Sequence, residues 1–450
     1  MKLELHPKAI ANYDEKGSKL VTSLVPDPWE AQIKARWMQR SEDPPIYAEA
    51  LPESTVKTFH IGDSYMDGYG KELAKYFKSE TGNIGLFDDG YTNLVKLAEE
   101  IQNTKTLRDL VSKNVVKDLI FDWIRDSHKQ PSNSSMTEYV LTECGNQIKE
   151  FEIWIPISKL LLFETQISIG RVTFQSVTKD MLDAYLGVRA TDVGPGAKRI
   201  RSELQGYAAA AIKVVAEPQR ANEIAYDEAD QALSLLRFYS PVNFDPTRVS
   251  YVALLGEQHA HTFHRLMVAN GKIVNYHSGL IDKASPYWQL DQSYVDDLIG
   301  LDVLSDLLIR EDRTDYHEKL LAALLQYSKN CLARDPSDKL VNILVAVESV
   351  ILQNENEPLG KNIGERMAAL IGSTLEERKG ILSNVGKTYG LRSSFVHHGK
   401  RISVDEVDTL KEFMMNAWRC LGTLVDWYHK NPAITRSQFF AELEERRLSY

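Results

Sequence analysis

The chain has 450 residues, 43% of them hydrophobic and 26% charged, which suits two or three folded domains and excludes a largely disordered chain. A formal net charge of −10 excludes a protein that coats nucleic acid over its whole surface, but not one with a single local cationic site. Three widely spaced cysteines, Cys144, Cys331 and Cys420, with no CxxC pair, exclude a disulfide framework or a zinc ribbon.

The opening MKLELHPKAIANYDEKG lacks the apolar stretch of a signal peptide. No apolar run approaches the roughly 18 residues of a membrane span. The expectation is a cytoplasmic protein with no membrane partner.

Residues 1–135 read as a mixed, mostly helical region. DPWEAQIKARWMQRSE begins with Asp27 and Pro28, a cap followed by proline at the first helical position. From Asn93 to Lys129, apolar residues recur at helical spacing. The polar stretch Lys129–Met136 is the first boundary expected.

Residues 136–290 read as an α+β domain with an antiparallel sheet. EYVLTECG, FEIWIPISKLLLF, QISIGRVTFQSV, YAAAAIKVVAE, VSYVALLG, HTFHRLMVA and KIVNYHS are predicted strands. Asn270-Gly271 is a two-residue hairpin turn between the last two. ANEIAYDEADQALSLLRFY is a predicted helix.

Residues 291–450 read as an all-α bundle, so that the fold class is multidomain α+β. Asp335-Pro336 starts one helix, on which Leu340, Ile343, Leu344, Val347 and Ile351 form one apolar stripe. Thr374 with Glu377, and Ser403 with Glu406, fit capping boxes.

Chemistry-bearing residues concentrate in GLRSSFVHHGKRIS, Gly390–Ser403, which reads as a loop entering a helix. Arg392 and His397 stand five positions apart, with His398 beside them. Between Glu377 and Asp405 there is no acid, while Arg378, Lys379, Lys387, Arg392, Lys400 and Arg401 are all present. Such a cationic window suits an anionic ligand such as RNA; a solvated basic loop is the plainer alternative. Arg310 and His317 repeat the spacing loosely, but three acids lie between them.

Two other clusters are weaker. His259, His261 and His264 in HAHTFH have metal-binding side chains, yet on a strand His264 faces away from the other two. DVGPGAK, Asp192–Lys198, has glycines and a lysine but not the GxxxxGK[ST] pattern, and reads as a turn. Cys144 has no activating neighbour and reads as structural.

The ordered set LVNILVAVESVIL with Glu348, IGERMAALIG, KTYG and RSSFVHHGK resembles the HEPN superfamily, its Apea-like branch in particular, over roughly residues 300–430. The resemblance implies a metal-independent endoribonuclease, without cofactor, whose catalytic pair is Arg392 and His397. The position after the arginine, often Asn, Asp or His in active members, is here Ser393, whose hydroxyl still donates and accepts hydrogen bonds. His398, Ser393, Tyr389 and Glu348 are expected in support, and Lys400, Arg401 and Lys387 on flanking phosphates. The resemblance further implies a homodimer through the helical domain and a toxin-like role in bacterial defence against phage, with a phage-derived trigger. The alternative is an inactive HEPN-type module that binds nucleic acid or protein.

Overall fold

The computed structural model describes residues 1–29, 59–61, 63–67, 70–80, 82–129, 134–163, 165–186, 195–255, 262–269, 272–280, 287–354 and 356–448. Two compact units emerge: Met1–Phe151 with Val214–Ile224, and Glu152–Lys213 with Ala225–Tyr450. Helices and antiparallel sheets combine in an α+β chain whose C-terminal part is helical.

In chain order, the first unit contains α1 (Pro7–Thr22), β1 (Val25–Pro26), β2 (Phe59–Ile61), β3 (Ser64–Met66), β4 (Glu72–Ser79), β5 (Gly82–Leu86), α2 (Asp88–Gln102), α3 (Lys113–Lys129) and α4 (Met136–Gln147). The strands make one antiparallel sheet in the order β1-β5-β4-β3-β2. The helical spacing of residues 93–129 is realised as α2 and α3, which bury Leu94, Leu97, Ile101, Ile120 and Ile124 in one core. Of the helix expected over Asp27–Glu42, residues 30–42 lie outside the described residues.

EYVLTECG is helix α4 and not a strand. The Ser135 hydroxyl accepts from the Glu138 N–H as an N-cap, and Met136, Val140 and Cys144 recur every four residues on the buried side. That spacing outweighs the weak strand preference of one valine and one threonine.

Next come β6 (Lys149–Ile157), β7 (Leu160–Leu162), β8 (Ile167–Ile169), β9 (Val172–Ser176), α5 (Lys179–Leu186), α6 (Pro195–Leu204), β10 (Ala208–Ala216) and α7 (Pro218–Arg237). Four of these strands form a sheet in the order β6-β10-β9-β8. VSYVALLG contributes only an isolated bridge, Leu254 to Ile157. Around that bridge Ser158 N–H donates to the Ala253 carbonyl and Leu255 N–H to the Pro156 carbonyl, but upstream Ser250 N–H donates to the Cys331 carbonyl and the Val252 carbonyl accepts from Arg237 Nε. The pairing therefore stops after one bridge.

β11 (Thr262–Ala269) and β12 (Lys272–Leu280) pair antiparallel with Ala269 opposite Lys272. The turn residues Asn270 and Gly271 lie outside the described residues, as do His259, His261 and Asp192. Pro195 opens α6, so Gly196, Ala197 and Lys198 belong to a helix and not to the turn expected there. β13 (Trp288–Leu290) pairs parallel with β7.

The remainder is helical: α8 (Gln292–Asp296), α9 (Leu301–Ile309), α10 (Asp315–Ser328), α11 (Pro336–Ile351), α12 (Leu359–Ile371), α13 (Leu375–His398), α14 (Val407–Lys430) and α15 (Arg436–Leu448). Asp335 caps α11 by accepting from the Ser337 N–H, and the whole predicted stripe of α11 is buried. Both halves of the Ser403/Glu406 box are present, whereas Thr374 caps α13 through the Glu377 N–H alone. His317 is buried, with its Nδ1 accepting from the Thr314 N–H, so it closes a helix cap and is no partner for a phosphate. All three cysteines are buried thiols.

The expected loop over Gly390–Ser403 is corrected. α13 continues to His398, and only residues from 399 onward leave the helix. Gly390 lies within the helix with no positive φ and open space where a Cβ would point; the stop is Gly399, at φ +64°. A left-handed C-terminal residue ends a helix, and a glycine with helical dihedrals does not.

α11 itself carries a fully buried lysine, Lys339, whose Nζ donates to the Asn330 carbonyl at 2.8 Å. Burial lowers its pKa from 10.5 to about 8. The unfolded chain therefore holds one more proton between those values, and this group's contribution to stability grows as pH rises through that window. Lys339→Met removes the buried charge, and Ala333 N–H still serves the Asn330 carbonyl. Melts followed by circular dichroism should show the variant more stable at pH 7 by about 1–3 kcal/mol, with a flatter dependence between pH 8 and 10. An equal or lower melting temperature at pH 7 would contradict this account.

Candidate functional site

Three helices of the second unit position the candidate residues. α11 carries Glu348 on its half-buried side, α12 brings Gly360, and α13 carries Lys387, Tyr389, Arg392, Ser393, His397 and His398. A Cβ at Gly360 would lie 3.3 Å from Tyr389 Cγ, and one at Gly364 would lie 3.2 Å from Leu382 Cδ2. These two glycines, one turn apart, let α12 approach α13 closely and seat the Tyr389 ring.

Tyr389 donates its hydroxyl to Glu348 Oε1 at 2.7 Å. Burial pushes the Tyr389 phenol far above its ordinary pKa, helped by the Glu348 charge and this bond, while the Arg392 charge acts in the opposite sense. Arg392 is thus an electrostatic neighbour of the pair, three residues along the helix, where side chains share a face. Its guanidinium is half-buried and makes no hydrogen bond or ion pair with any described residue.

His397 does not share that face. At about 100° and 1.5 Å per residue, five positions place it about 140° around and 7.5 Å along the helix from Arg392. It lies instead with Ser393, one turn earlier, and both are exposed. The His397 and His398 rings meet edge to face with centroids 6.5 Å apart. Glu348, Tyr389 and Arg392 are thus neighbours, while His397 lies well around the helix from Arg392.

Of the cations expected to hold flanking phosphates, Lys387 is exposed and has no ion pair among the described residues. Lys400 pairs with Glu406 at 3.2 Å, and Arg401 with Asp335 at 3.2 Å. Glu406 is held down to about 2 by the Ser403 backbone and hydroxyl and by Lys400. The acid-free window in sequence is thus not acid-free in space. In both pairs the cation is exposed and the carboxylate partly buried, and ion pairs at such a surface are weak.

Sequence reasoning missed Gly360 as the seat of Tyr389 and Asp335 as the partner of Arg401. The four-residue spacing of Gly360 and Gly364 was the available signal for the first. Among the described residues, no group of three or more His, Cys, Asp or Glu side chains is placed to hold a metal ion, and no helix is long and apolar enough to cross a membrane. The chain matches no family model, no curated protein and no solved structure.

Gly360→Val tests the seat. The added methyls press on the Tyr389 ring and should cost about 1–3 kcal/mol of stability in urea or thermal unfolding. Gly380→Val has open space around it and should change stability by less than about 1 kcal/mol, since valine is a slightly better helix former than glycine. Equal losses would remove the close-packing argument.

Proposed function

We propose that the C-terminal helical region is a metal-independent endoribonuclease of the HEPN type, with Arg392 and His397 as its catalytic residues. The observation that carries this reading is a half-buried guanidinium without an acid partner, on the same helix as an exposed histidine. RNA supplies its own nucleophile, the 2′-hydroxyl. His397 accepts that proton as the oxygen attacks phosphorus, and Arg392 stabilises the charge growing on the phosphorane oxygens. The 5′-oxygen leaves with a proton, and the products are a 2′,3′-cyclic phosphate and a 5′-hydroxyl. No metal or cofactor takes part.

One histidine per chain cannot both take the first proton and supply the second within a single event. A second copy provides the other. Leu375 is 70% exposed on α13, and Gly386 and Gly390 have open space where a Cβ would point. With Ser393 and His397, these residues span a sector of about 60° of the helix. A two-fold dimer across this sector brings the histidines of both copies together. On this reading the remaining regions restrain the nuclease until a phage-derived trigger releases it in the cytoplasm of a bacterial cell.

Cleavage of total RNA and tRNA in EDTA tests the proposal. Arg392→Ala and His397→Ala should each reduce the rate by about 10²–10⁴-fold, with wild type dimeric by mass photometry. Wild-type toxicity in cells that His397→Ala abolishes is the expected result if the purified protein is held inactive. Binding of RNA without cleavage or toxicity would favour the alternative, a binding module.

A further inference from the structure

Glu348 poses a problem for any role of Arg392 in gripping phosphate. It is a half-buried carboxylate that meets α13 at Tyr389, three residues before Arg392, and arginine–carboxylate pairs are frequently bidentate. Yet the two make no ion pair. The hydroxyl of Tyr389 takes Glu348 Oε1 instead, from a ring held against Gly360.

We infer that Tyr389 is a positioning residue that engages Glu348 and so leaves the Arg392 guanidinium open to a phosphate oxyanion. Tyr389 does not touch the substrate. It feels both the Glu348 and the Arg392 charges, and it satisfies the carboxylate with a neutral hydrogen-bond donor. Removing the hydroxyl strips Glu348 of its partner in a half-buried setting, where an unsatisfied carboxylate is costly. The nearest remedy is a salt bridge to Arg392, three residues further along the helix. Arg392 is then occupied, and phosphate has to compete for it.

This inference rests on the phosphate-binding part of the proposed function and not on catalysis. The probe is therefore a single-stranded 2′-O-methyl RNA oligonucleotide, which has no free 2′-hydroxyl and cannot be cut. Its binding to the full chain is followed by fluorescence anisotropy at fixed salt. Tyr389→Phe keeps the ring on Gly360 and removes only the hydroxyl. It should weaken binding about 10-fold, close to the level of Arg392→Ala. Tyr389→Phe combined with Glu348→Gln removes the competing charge as well and should restore binding to within about threefold of wild type. A merely structural role for Tyr389 predicts no such rescue, and melting temperatures show that each variant is folded.

Wild-type binding of the probe that does not depend on Arg392 would overturn the inference. So would unchanged binding by Tyr389→Phe, or a double variant as weak as the single one. Failure of the nuclease reading looks different: the binding pattern holds, and unmodified RNA stays intact.

Discussion

The unbroken run of α13 from Leu375 to His398 is the constraint from which the site follows. Because the helix does not stop at Gly390, Arg392 and His397 are fixed on one rigid rod, and their relative orientation is set by helical geometry alone. Arg392 turns toward α11 and the Tyr389–Glu348 pair. His397 turns outward beside Ser393. A loop leaves the directions of two side chains open, whereas a helix sets the angle between them.

The electrostatics of the site follow from the same packing. α13 is free of acids over its last five turns, but its neighbours are not. Glu348 reaches Tyr389, Glu406 reaches Lys400, and Asp335 reaches Arg401. The outcome for each cation depends on what lies between it and the acid. Lys400 and Arg401 are paired in solvent. Arg392 has no ion pair among the described residues, and the neighbouring Tyr389 phenol is bound to Glu348. A tyrosine serves here better than a second cation, since it satisfies Glu348 without repelling either Arg392 or an incoming phosphate.

Much of the helical region was legible in the sequence, because caps and apolar stripes are local signals. Asp335-Pro336, the Ser403/Glu406 box and the buried stripe of α11 are where the pattern puts them. The α+β character of the middle region was legible too, from β-branched runs such as QISIGRVTFQSV. The misreadings have specific causes. EYVLTECG is a helix because one capping serine and a four-residue period outweigh two β-branched residues. VSYVALLG is not a strand because its pairing stops after one bridge, upstream of which Ser250 and Val252 bond to Cys331 and Arg237. The end of α13 was misplaced because Gly390 and Gly399 look alike in sequence, and only the backbone dihedrals distinguish a helical glycine from a terminating one. At the site, the sequence pointed to the residues on α13 and to Glu348. It could not show that Arg392 and His397 face apart, or that acids from α11 and α14 approach the cationic window.

The central claim is that the RNA attacks itself, with protein side chains and no metal supplying the proton transfer and charge stabilisation. Paired oligonucleotides of one sequence, all-RNA and all-DNA, incubated with wild-type protein in EDTA, test it most directly. The account predicts that only the RNA is cut and that the ends are 2′,3′-cyclic phosphate and 5′-hydroxyl. Cleavage of the DNA, or 5′-phosphate ends that appear only when a divalent ion is restored, would contradict it.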